Sequence, residues 1–519
     1  MAMSVGLGLG TAGAATPITD VFLDVHDIRK WDESNGDTWD PFWADDDNLY
    51  AFNCDGRGFG SQGRNLAFNK LVGDHPHRLA GSMVNTMDAY GVGNAKRADG
   101  ATWKALGQEC IDGVFYAFVS RHTYGHESRD PLMRQTAVNA SLIKSTDRGL
   151  DWTRSEEENY TKPMWPGSRF GGPFFIHYGK NGGNVARDGA DRYVYATSPN
   201  GFWNGGDDYV LGRVERNKIG GLNAADWSYY TGGDGMDTGS WTDRLDRAMP
   251  ILSLPTQCGT GPACYIPSLG TYLIVAWYVA KKLEKWFEPD EIKYDFYQAA
   301  HPWGPWKLVK SVSDRFIVGG HMYGPSLCAK FQEKDGMNMR MSMFTSGCPF
   351  EDVPGGVYKM WEIPLVLRTG PVSRETEVND DDPRIVYAGK WTASTKRGFH
   401  DHGDDVHYTT TAGDSAEFTF EGTGIEYVAE KNADHGDVDV FLDGEIKRTV
   451  SLKLVNFPRL SQVVVFGARN LRSGRHTIRI VAKGGGYAIL DAFKVIGGGR
   501  LPATSFRILS GKQRLKVAV

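Results

Sequence analysis

The chain has 519 residues, which is enough for two to four domains with complete hydrophobic cores. Its net charge of -5 is mild and lacks the basic excess expected of a nucleic-acid-binding protein. No segment is long and apolar enough to span a membrane as a helix. We therefore expect neither nucleic acid nor membrane as a partner. The 15 Trp, 22 Tyr and 64 Gly are typical of short strands joined by tight turns.

Residues 1–19 contain a weak apolar run that ends in small residues around Ala12 to Ala15. This pattern predicts the end of a secretory signal and hence a secreted, extracellular protein, although the basic residues that usually precede such a run are missing. The alternative is a disordered Gly/Ala tail.

The six cysteines are too few for a disulfide scaffold. Cys258 and Cys264 could close a small loop, and Cys328 with Cys348 is another possible pair. Neither pair has the spacing of metal ligands, and no histidine cluster lies beside them.

Between residues 20 and 375 the same plan of strands recurs five times, each time ending in an aromatic-rich strand. The units are marked by Asp37, Val114, Tyr193, Ala263 and Tyr323. Recurring strands with turn signals and little helical periodicity favour a β-propeller. The sequence thus predicts an all-β protein whose residues 20–375 form a five-bladed β-propeller.

One local motif supports this architecture. The run from Ser145 to Trp152 fits Ser-x-Asp-x-Gly-x-x-Trp and resembles the Asp-box of sialidase-type propellers. The resemblance implies that Asp147 caps a turn and that Trp152 packs between strands. Asp147 is therefore expected to serve the fold and not the reaction.

The sequence changes character near Glu375, and residues 376–384 contain a charged, proline-ended run that predicts a linker. Residues 385–497 hold short strands with alternating apolar residues, which predict a β-sandwich, and residues 498–519 form a C-terminal tail. Four features resemble the galactose-binding-like jelly rolls that are appended to carbohydrate-active enzymes. They are Trp391, Phe418 to Ile425, Asp437 to Gly444 and Gly474 to Ile478.

This resemblance implies that the C-terminal domain assists carbohydrate binding and takes no part in the chemistry; a purely structural appendage is the alternative. The polar loop from Lys431 to Asp437 is where acids could hold a sugar hydroxyl or a structural Ca²⁺. No cofactor and no catalytic metal is expected.

The segment from Asp37 to Asp55 carries the clearest chemistry. Asp37 precedes a Pro-Phe-Trp turn, a short apolar strand runs from Leu49 to Phe52, and Asp55 lies at the far end of that strand. An up-down hairpin of this length can bring both carboxylates to the same end of a sheet. Two converging carboxylates are the minimum requirement for cleavage of a glycosidic bond.

The same segment resembles the opening of the endo-D-arabinanase family of glycoside hydrolases and its uncharacterised relatives, which are five-bladed propellers. The shared features are an acid, a Pro-Phe turn, a Leu-Tyr strand and a second acid before a small residue, here Asp37, Pro41-Phe42, Leu49-Tyr50 and Asp55-Gly56. The resemblance implies that Asp37 and Asp55 are the catalytic acids, and Asp40 is the substitute for Asp37 if the alignment shifts. The run Cys-Asp-Gly-Arg from Cys54 to Arg57 departs from the family's more frequent Gly-Asp-Thr, so D-arabinan need not be the substrate.

Other polar and aromatic residues near the expected central funnel are candidates for substrate binding. They are Arg57, Asn65, Arg121, His126, Trp203, Asp207, His321 and Tyr323, with His122 as a further candidate. A tryptophan near such a funnel commonly stacks on a sugar face.

The leading hypothesis is a secreted glycoside hydrolase that uses a carboxylate pair on a polysaccharide or oligosaccharide, with an arabinan-like furanoside as one candidate. The first alternative is a propeller-type polysaccharide lyase acting on a uronate-containing glycan. It would use His126, His321 or Tyr323 as the base and Arg57 or Arg121 to neutralise the uronate. The second alternative is a non-catalytic, lectin-like carbohydrate-binding protein. The sugar, its linkage, the stereochemical course and the oligomeric state are left open.

Overall fold

A computed structural model of the chain describes residues 15–24, 28–124, 134–183, 192–282, 289–314, 321–335, 338–347, 358–370, 375–454 and 459–497. Within these residues the regular structure is almost entirely β, with a single α-helix, α1 (Glu156–Thr161). Single 3₁₀ turns cover Pro76–Arg78, Asp88–Tyr90, Lys180–Gly182, Ile219–Gly221, Ala224–Asp226, Thr238–Ser240, Leu245–Arg247 and His402–Asp404. Contacts divide the chain into two compact units, Met1–Pro371 and Val372–Val519.

The described strands of the first unit form five antiparallel sheets. The chain opens with β1 (Asp20–Leu23) and β2 (Arg29–Lys30), which both belong to the last of these sheets. The first sheet contains β3 (Phe42–Trp43), β4 (Leu49–Gly56), β5 (Arg64–Val72) and β6 (Ala80–Asn85). The second contains β7 (Thr102–Ile111), β8 (Val114–Thr123) and β9 (Thr136–Ser145). The third contains β10 (Phe174–Phe175), β11 (Tyr193–Pro199), β12 (Gly206–Glu215), β13 (Trp227–Tyr230), β14 (Trp241–Thr242) and β15 (Pro250–Cys258).

The fourth sheet contains β16 (Ala263–Ile266), β17 (Thr271–Lys282), β18 (Pro289–Ala299) and β19 (Lys307–Ser313). The fifth contains β20 (Met322–Asp335), β21 (Asn338–Gly347) and β22 (Met360–Arg368), together with β1 and β2. Each sheet is one blade, so the predicted five-bladed propeller is confirmed. The five sequence repeats each correspond to one of these blades.

The first main strands of the blades form a closed ring around one axis. Strand β3 contacts β7 and β20, β7 contacts β10, and β16 contacts β20. The ring is completed where His177, just after β10, forms a parallel bridge with Cys264 in β16. The N-terminal strand β1 pairs with β22, with Asp20 opposite Arg368, so the beginning of the unit completes its last blade.

The Asp-box forms the turn that its sequence predicts. The Ser145 hydroxyl donates to the Asp147 carboxylate at 2.7 Å, and the same carboxylate accepts the Asp151 N–H at 3.0 Å. The Trp152 ring packs against Phe52 and Phe68 with ring centroids 5.2 Å apart in both pairs. Asp147 is thus a turn residue, as expected, and Trp152 packs against strands of the preceding blade.

The second unit is a β-sandwich. Its larger sheet contains β23 (Glu375–Asn379), β24 (Ile385–Ala388), β27 (Ser415–Lys431), β28 (Asp437–Leu442), β29 (Glu445–Ser451), β30 (Leu460–Ala482) and β32 (Ala492–Ile496). Its smaller sheet contains β25 (Thr392–Thr395), β26 (Asp405–Thr409) and β31 (Ala488–Leu490). Alternating apolar residues of both sheets, such as Phe418, Val440 and Ile489, are buried in one core. The fold class, a propeller followed by a sandwich, is therefore confirmed.

The predicted boundaries need correction. The boundary between the two units falls between Pro371 and Val372. The predicted linker 376–384 is not free, because Glu375–Asn379 is a paired strand of the sandwich. Its alternation places Val378 in the core. The predicted N-terminal segment 1–19 also joins the propeller at its end, where Thr16 N–H donates to the Leu269 carbonyl at 2.8 Å. Residues 498–519 lie outside the described residues.

The possible loop-closing disulfide between Cys258 and Cys264 does not form. Cys258 and Cys264 are both buried, free thiols. Cys258 ends β15 of the third blade and Cys264 lies in β16 of the fourth, so the two cysteines belong to different sheets. Cys328 is likewise a free thiol, and Cys348 lies outside the described residues.

Candidate active site

Two glycines bring the chain segments of Asp37 and Asp55 together. A Cβ added to Gly56 would lie 2.4 Å from the Gly36 Cα, and one added to Gly36 would lie 2.6 Å from the Cys54 carbonyl oxygen. Asp37 and Cys54 exchange backbone hydrogen bonds of 2.9 and 2.7 Å. This close antiparallel contact places Asp37 directly across from the residue that precedes Asp55.

The Asp37 carboxylate is held by hydroxyl groups. It accepts a hydrogen bond from the Thr38 hydroxyl at 2.8 Å and another from the Tyr323 phenol at 2.5 Å. Thr38 is anchored in turn, because its N–H donates to the Ser346 hydroxyl of the fifth blade at 3.0 Å. The Tyr323 ring rests against Trp277 with centroids 5.8 Å apart. Asp37 is 8% exposed, so the group is positioned but still reachable.

The Asp55 carboxylate is held by a cation and a phenol from the second blade. It contacts the Lys104 ammonium directly and accepts hydrogen bonds from the Tyr124 phenol at 3.0 and 3.1 Å. The backbone of Asp55 is left-handed, with φ of 47°, a conformation that costs a non-glycine residue about 1 kcal/mol or more and recurs at functional sites. Its side chain is 12% exposed and that of Lys104 is 3% exposed.

The two acids share one electrostatic environment. Burial raises the pKa of Asp55; the Lys104 ammonium opposes this shift, and the negative charge of Asp37 adds to it. Burial alone would lower the pKa of Lys104, but the charges of Asp55, Tyr124 and Asp37 outweigh it and raise that pKa. One ammonium therefore faces two carboxyls and compensates only one negative charge.

Asp40, the substitute candidate, has a different environment. It is buried at the propeller axis, where its carboxylate accepts hydrogen bonds from Ser326 at 2.5 Å and from the Gln108 N–H at 3.2 Å. It also contacts His177 Nε2 at 3.0 Å, and His177 Nδ1 contacts Glu109 at 2.9 Å. Asp40, Glu109 and His177, which we call the axial triad, link three blades, and their burial leaves Asp40 almost no surface for a substrate.

Three of the residues predicted to bind substrate make hydrogen bonds within the propeller instead. Asn65 is fully buried and donates to the Tyr90 and Ala95 carbonyls, both at 2.8 Å. Arg121 is buried against the Trp103 ring and makes a two-point contact with Asp99 at 2.8 and 2.9 Å. Arg57 is half-buried and donates to the Gly60 carbonyl at 2.7 Å. These bonds remove Asn65 and Arg121 from the candidate site.

Of the remaining candidates, Trp203 lies near Asp55 and Asp207 lies in the third blade. Trp203 is buried and lies against His122, whose ring also contacts that of Tyr124, so Trp203 supports the wall behind Asp55. Asp207 belongs to the third blade, where it meets Arg134 at 3.3 Å and accepts the Thr256 N–H at 3.0 Å.

His321 directly precedes β20, and its Nδ1 contacts Asp314 at 2.8 Å. His126 lies outside the described residues. Tyr323, by contrast, is in direct contact with a candidate acid, because its phenol donates to Asp37.

Sequence reasoning missed Lys104, Tyr124 and Tyr358. Tyr358 hydrogen-bonds Asp37, and burial followed by the charges of Asp37, Tyr323 and Asp55 raises its pKa well above the usual value. A signal for Lys104 was present, since a lysine in the middle of the otherwise buried strand β7 requires a partner of opposite charge. No local signal could have paired it with Asp55, which lies in another blade.

The chain matches no family model. Sequence comparison found two relatives that match over about a fifth of the chain. Over 104 residues, 20% of this chain and 13% of the relative, it is 35% identical to A type blood N-acetyl-alpha-D-galactosamine deacetylase of Flavonifractor plautii. Over 110 residues, 21% of this chain and 10% of the relative, it is 33% identical to A type blood alpha-D-galactosamine galactosaminidase of the same organism. The chain thus spans about a tenth of the length of the curated relatives it matches.

Two solved structures with low sequence identity align with a larger part of the chain. The exo-beta-1,3-galactanase of Phanerochaete chrysosporium with galactose is 11% identical, covers 89% of this chain and 96% of its own, and has a TM-score of 0.40. Bacteroides ovatus Xyloglucan PUL GH43B is 11% identical, covers 91% of this chain and 99% of its own, and has a TM-score of 0.36. In the part of the chain that the structure describes, no helix is long and apolar enough to cross a membrane.

Proposed function

We propose that the protein is a glycoside hydrolase that cleaves its substrate with the carboxyl pair Asp37 and Asp55. The observation that carries this proposal is the shared environment of the two acids, one on either side of the Gly36–Gly56 contact and both under the charge of Lys104. Two carboxyl groups with different partners can take the two roles that glycosidic bond cleavage needs.

The partners of each acid suggest its role. Asp55 has a raised pKa, caused first by burial, and is suited to donate a proton to the leaving oxygen. Asp37 accepts two hydroxyl hydrogen bonds that orient its carboxylate, so it is suited to act as the nucleophile or to activate water. Retaining enzymes keep their carboxyls about 5–5.5 Å apart and inverting enzymes about 6.5–9.5 Å, so the anomer of the first product will assign the mechanism.

The proposed substrate is a polysaccharide or oligosaccharide. An arabinan-like furanoside is the first candidate, because the segment from Asp37 to Asp55 resembles the endo-D-arabinanase family. Glycans with galactosamine are the second candidate, because the two partial relatives are named for such sugars. Secretion is part of the proposal and is tested by sequencing the N-terminus of the mature protein.

A glycan panel, digested with the purified protein and analysed by mass spectrometry, tests this function. Asp55→Asn and Asp37→Asn should each reduce turnover by at least about 10²- to 10⁴-fold, the usual cost of losing a general acid or base. Asp47→Asn is the matched control, because Asp47 lies in the same hairpin but is 62% exposed. Circular dichroism and thermal unfolding must show that each variant is folded.

Three results would contradict the proposal. Products that absorb in the ultraviolet would identify the lyase instead, since eliminative cleavage leaves an unsaturated sugar. Binding without any product would favour the lectin-like protein. Full activity in folded Asp37→Asn and Asp55→Asn would show that other groups perform the reaction.

A further inference from the structure

Tyr124 contacts both members of the Lys104–Asp55 pair. Its phenol lies 3.1 and 3.0 Å from the two carboxylate oxygens of Asp55, and the Lys104 ammonium lies 5.0 Å from the centroid of its ring. Tyr124 directly follows Thr123, the residue that ends strand β8. A small displacement of the Tyr124 ring would therefore move the phenol away from Asp55.

The ring of His122 packs against the Tyr124 ring. The two centroids are 4.9 Å apart and the planes meet at 83°, an edge-to-face arrangement that aromatic rings favour. His122 lies two residues before Tyr124, so in an extended chain both side chains project from the same face of the sheet. His122 also meets the Trp203 ring edge to face, with centroids 5.2 Å apart. His122 therefore connects the ring that holds Asp55 to the third blade.

A hydrogen bond fixes the rotation of the His122 ring. Its Nε2 lies 2.9 Å from the side-chain oxygen of Gln135, and since an amide oxygen only accepts, Nε2 carries the proton. The Gln135 N–H donates to the Asn204 side-chain oxygen at 2.8 Å, and the Gln135 carbonyl accepts the Trp203 N–H at 2.8 Å. The turn of the third blade at Trp203 and Asn204 thus holds Gln135, and Gln135 orients His122.

The His122 side chain has almost no surface that a substrate could touch. It is 1% exposed, and Trp203, which packs on it, is 4% exposed. Burial, and then the charge of Lys104, lower the pKa of His122 well below its usual value, so the ring is neutral and adds no positive charge beside Lys104. His122 can therefore act on the reaction only through the residues that it contacts, above all Tyr124.

The second ring nitrogen shows that the imidazole is not needed for core packing. With Nε2 protonated, Nδ1 of the neutral ring is an acceptor, yet it is buried and accepts no hydrogen bond from the described residues. Buried polar atoms without a partner are rare, and each one lowers stability. A phenylalanine would avoid that loss at this position, but it could not make the bond to Gln135. The imidazole is thus explained by the fixed rotation of its ring.

We propose that His122 is a positioning residue for Asp55: held by Gln135, it keeps the Tyr124 ring where the phenol bonds both carboxylate oxygens. This inference rests on the proposed function, because the role of His122 is defined by the reaction of Asp55. Catalytic groups have to be held to within about 0.5 Å by residues whose own rotamers are locked. The contacts from the third blade through Gln135, His122 and Tyr124 supply that support.

Kinetics of two His122 variants test the proposal. His122→Ala removes the ring and should lower kcat by roughly 10- to 100-fold with little change in KM, the loss expected when one hydrogen bond to a charged group is broken. His122→Phe keeps a ring without the bond to Gln135 and should lower kcat less. Phe118→Leu is the matched control, because Phe118 is buried on the same face of β8 and packs against Phe175, with centroids 4.7 Å apart. It should lower the unfolding temperature and leave kcat unchanged.

The pH profile separates positioning from a general loss of packing. Burial raises the pKa of Asp55, and the hydrogen bond from Tyr124 acts against that shift. Losing this bond in His122→Ala should raise the pKa of Asp55 and move the alkaline limb of kcat/KM to higher pH. Gln135→Met should move the limb in the same direction as His122→Phe, and the double variant should be no worse than the worse single variant, because both changes remove the same bond.

A crystal structure of His122→Ala gives a measurement that needs no substrate. The Tyr124 phenol should lie about 3.5 Å or more from both oxygens of Asp55. If His122→Ala does not fold, Gln135→Met, which leaves the ring in place, is measured in the same way.

Two outcomes distinguish this inference from the proposed function. If Asp55→Asn is inactive while folded His122→Ala keeps the wild-type kcat, pH profile and Tyr124 position, the positioning role is overturned and the proposed function stands. If folded Asp55→Asn keeps full activity, the proposed function fails, and the position of Tyr124 in the crystal structure alone decides whether His122 holds it.

Discussion

Gly36 and Gly56 pack back to back, and each stands next to one of the two candidate catalytic acids. The Cβ that Gly56 lacks would lie 2.4 Å from the Gly36 Cα, closer than real side chains allow. Asp37 follows the first glycine and Asp55 precedes the second. The separation of the two carboxyls therefore depends on two residues that have no chemistry of their own.

We predict that Gly56→Ala abolishes most of the activity while the protein still folds. The added methyl group pushes the two chain segments apart, and overpacking of this kind costs about 1–3 kcal/mol of stability. Gly63→Ala is the matched control, because a Cβ there meets nothing within 4 Å. The comparison is made by specific activity and thermal unfolding of both variants. Equal activity in the two would show that the glycine contact does not set the site.

Lys104→Met should change the pH dependence of the reaction. The Lys104 ammonium lowers the pKa of Asp55, so its removal should raise that pKa further. If Asp55 is the proton donor, the alkaline limb of kcat/KM moves to higher pH. Removing one partner of a buried ion pair also costs about 3–5 kcal/mol, so the variant should be measured at low temperature. An unchanged alkaline limb in a folded variant would assign the donor to another group.

Tyr323→Phe tests how Asp37 is oriented. Loss of the phenol that donates to Asp37 at 2.5 Å should lower kcat by roughly 10- to 100-fold, since hydrogen bonds to charged groups are worth about 1.5–3 kcal/mol. Tyr50→Phe is the matched control, because it removes a similar bond of 2.9 Å to Asp46 at the hairpin. Steady-state kinetics on both variants should separate a loss in kcat from a general loss of stability.

The fold was predictable because its signals are local. Recurring strands, the Asp-box at Ser145 to Trp152 and the alternation after residue 385 each depend on neighbouring residues. The linker prediction failed because the strand Glu375–Asn379 is mostly exposed and polar, and only Val378 is fully buried. The pairing of Asp37 with Cys54 follows from hairpin length and was within reach of the sequence.

The rest of the site was not predictable, because a propeller assembles it from different blades. Lys104, Tyr124 and Tyr358 lie at separations of tens to hundreds of residues from the acids they contact, and no spacing rule connects them. Arg121 and Asn65 illustrate the opposite error. Polar residues beside a predicted site look functional in sequence, yet Arg121 is bonded to Asp99 and Asn65 to backbone carbonyls inside the blade.

The axial triad should make the stability of the propeller depend on pH. Burial acts to lower the pKa of His177, but Asp40 and Glu109 outweigh it and raise that pKa to about 10. In the unfolded chain a histidine side chain has a pKa of about 6.5. The stabilisation by the charged ring is therefore fully present below pH of about 6.5 and is lost as the pH rises towards about 10.

Thermal unfolding of the wild type and of His177→Gln between these pH values measures this effect. The unfolding temperature of the wild type should fall as the pH rises from about 6.5 to about 10. His177→Gln should unfold at a lower temperature than the wild type below pH of about 6.5, and its unfolding temperature should change less over the interval. A wild-type unfolding temperature that does not fall between neutral pH and about 10 would contradict a charged His177.

The last prediction concerns the sandwich. Residues 1–371 form one compact unit, so a protein that ends there should retain the complete blade closure between β1 and β22 and should fold. If the sandwich assists carbohydrate binding, the short protein keeps its rate on a soluble oligosaccharide and loses rate on the intact polysaccharide. The measurement is the ratio of these two rates in the short and the full-length protein, with thermal unfolding of the propeller as the folding control. Equal loss on both substrates, with a lowered unfolding temperature, would mean that the sandwich stabilises the propeller and does not recruit the polymer.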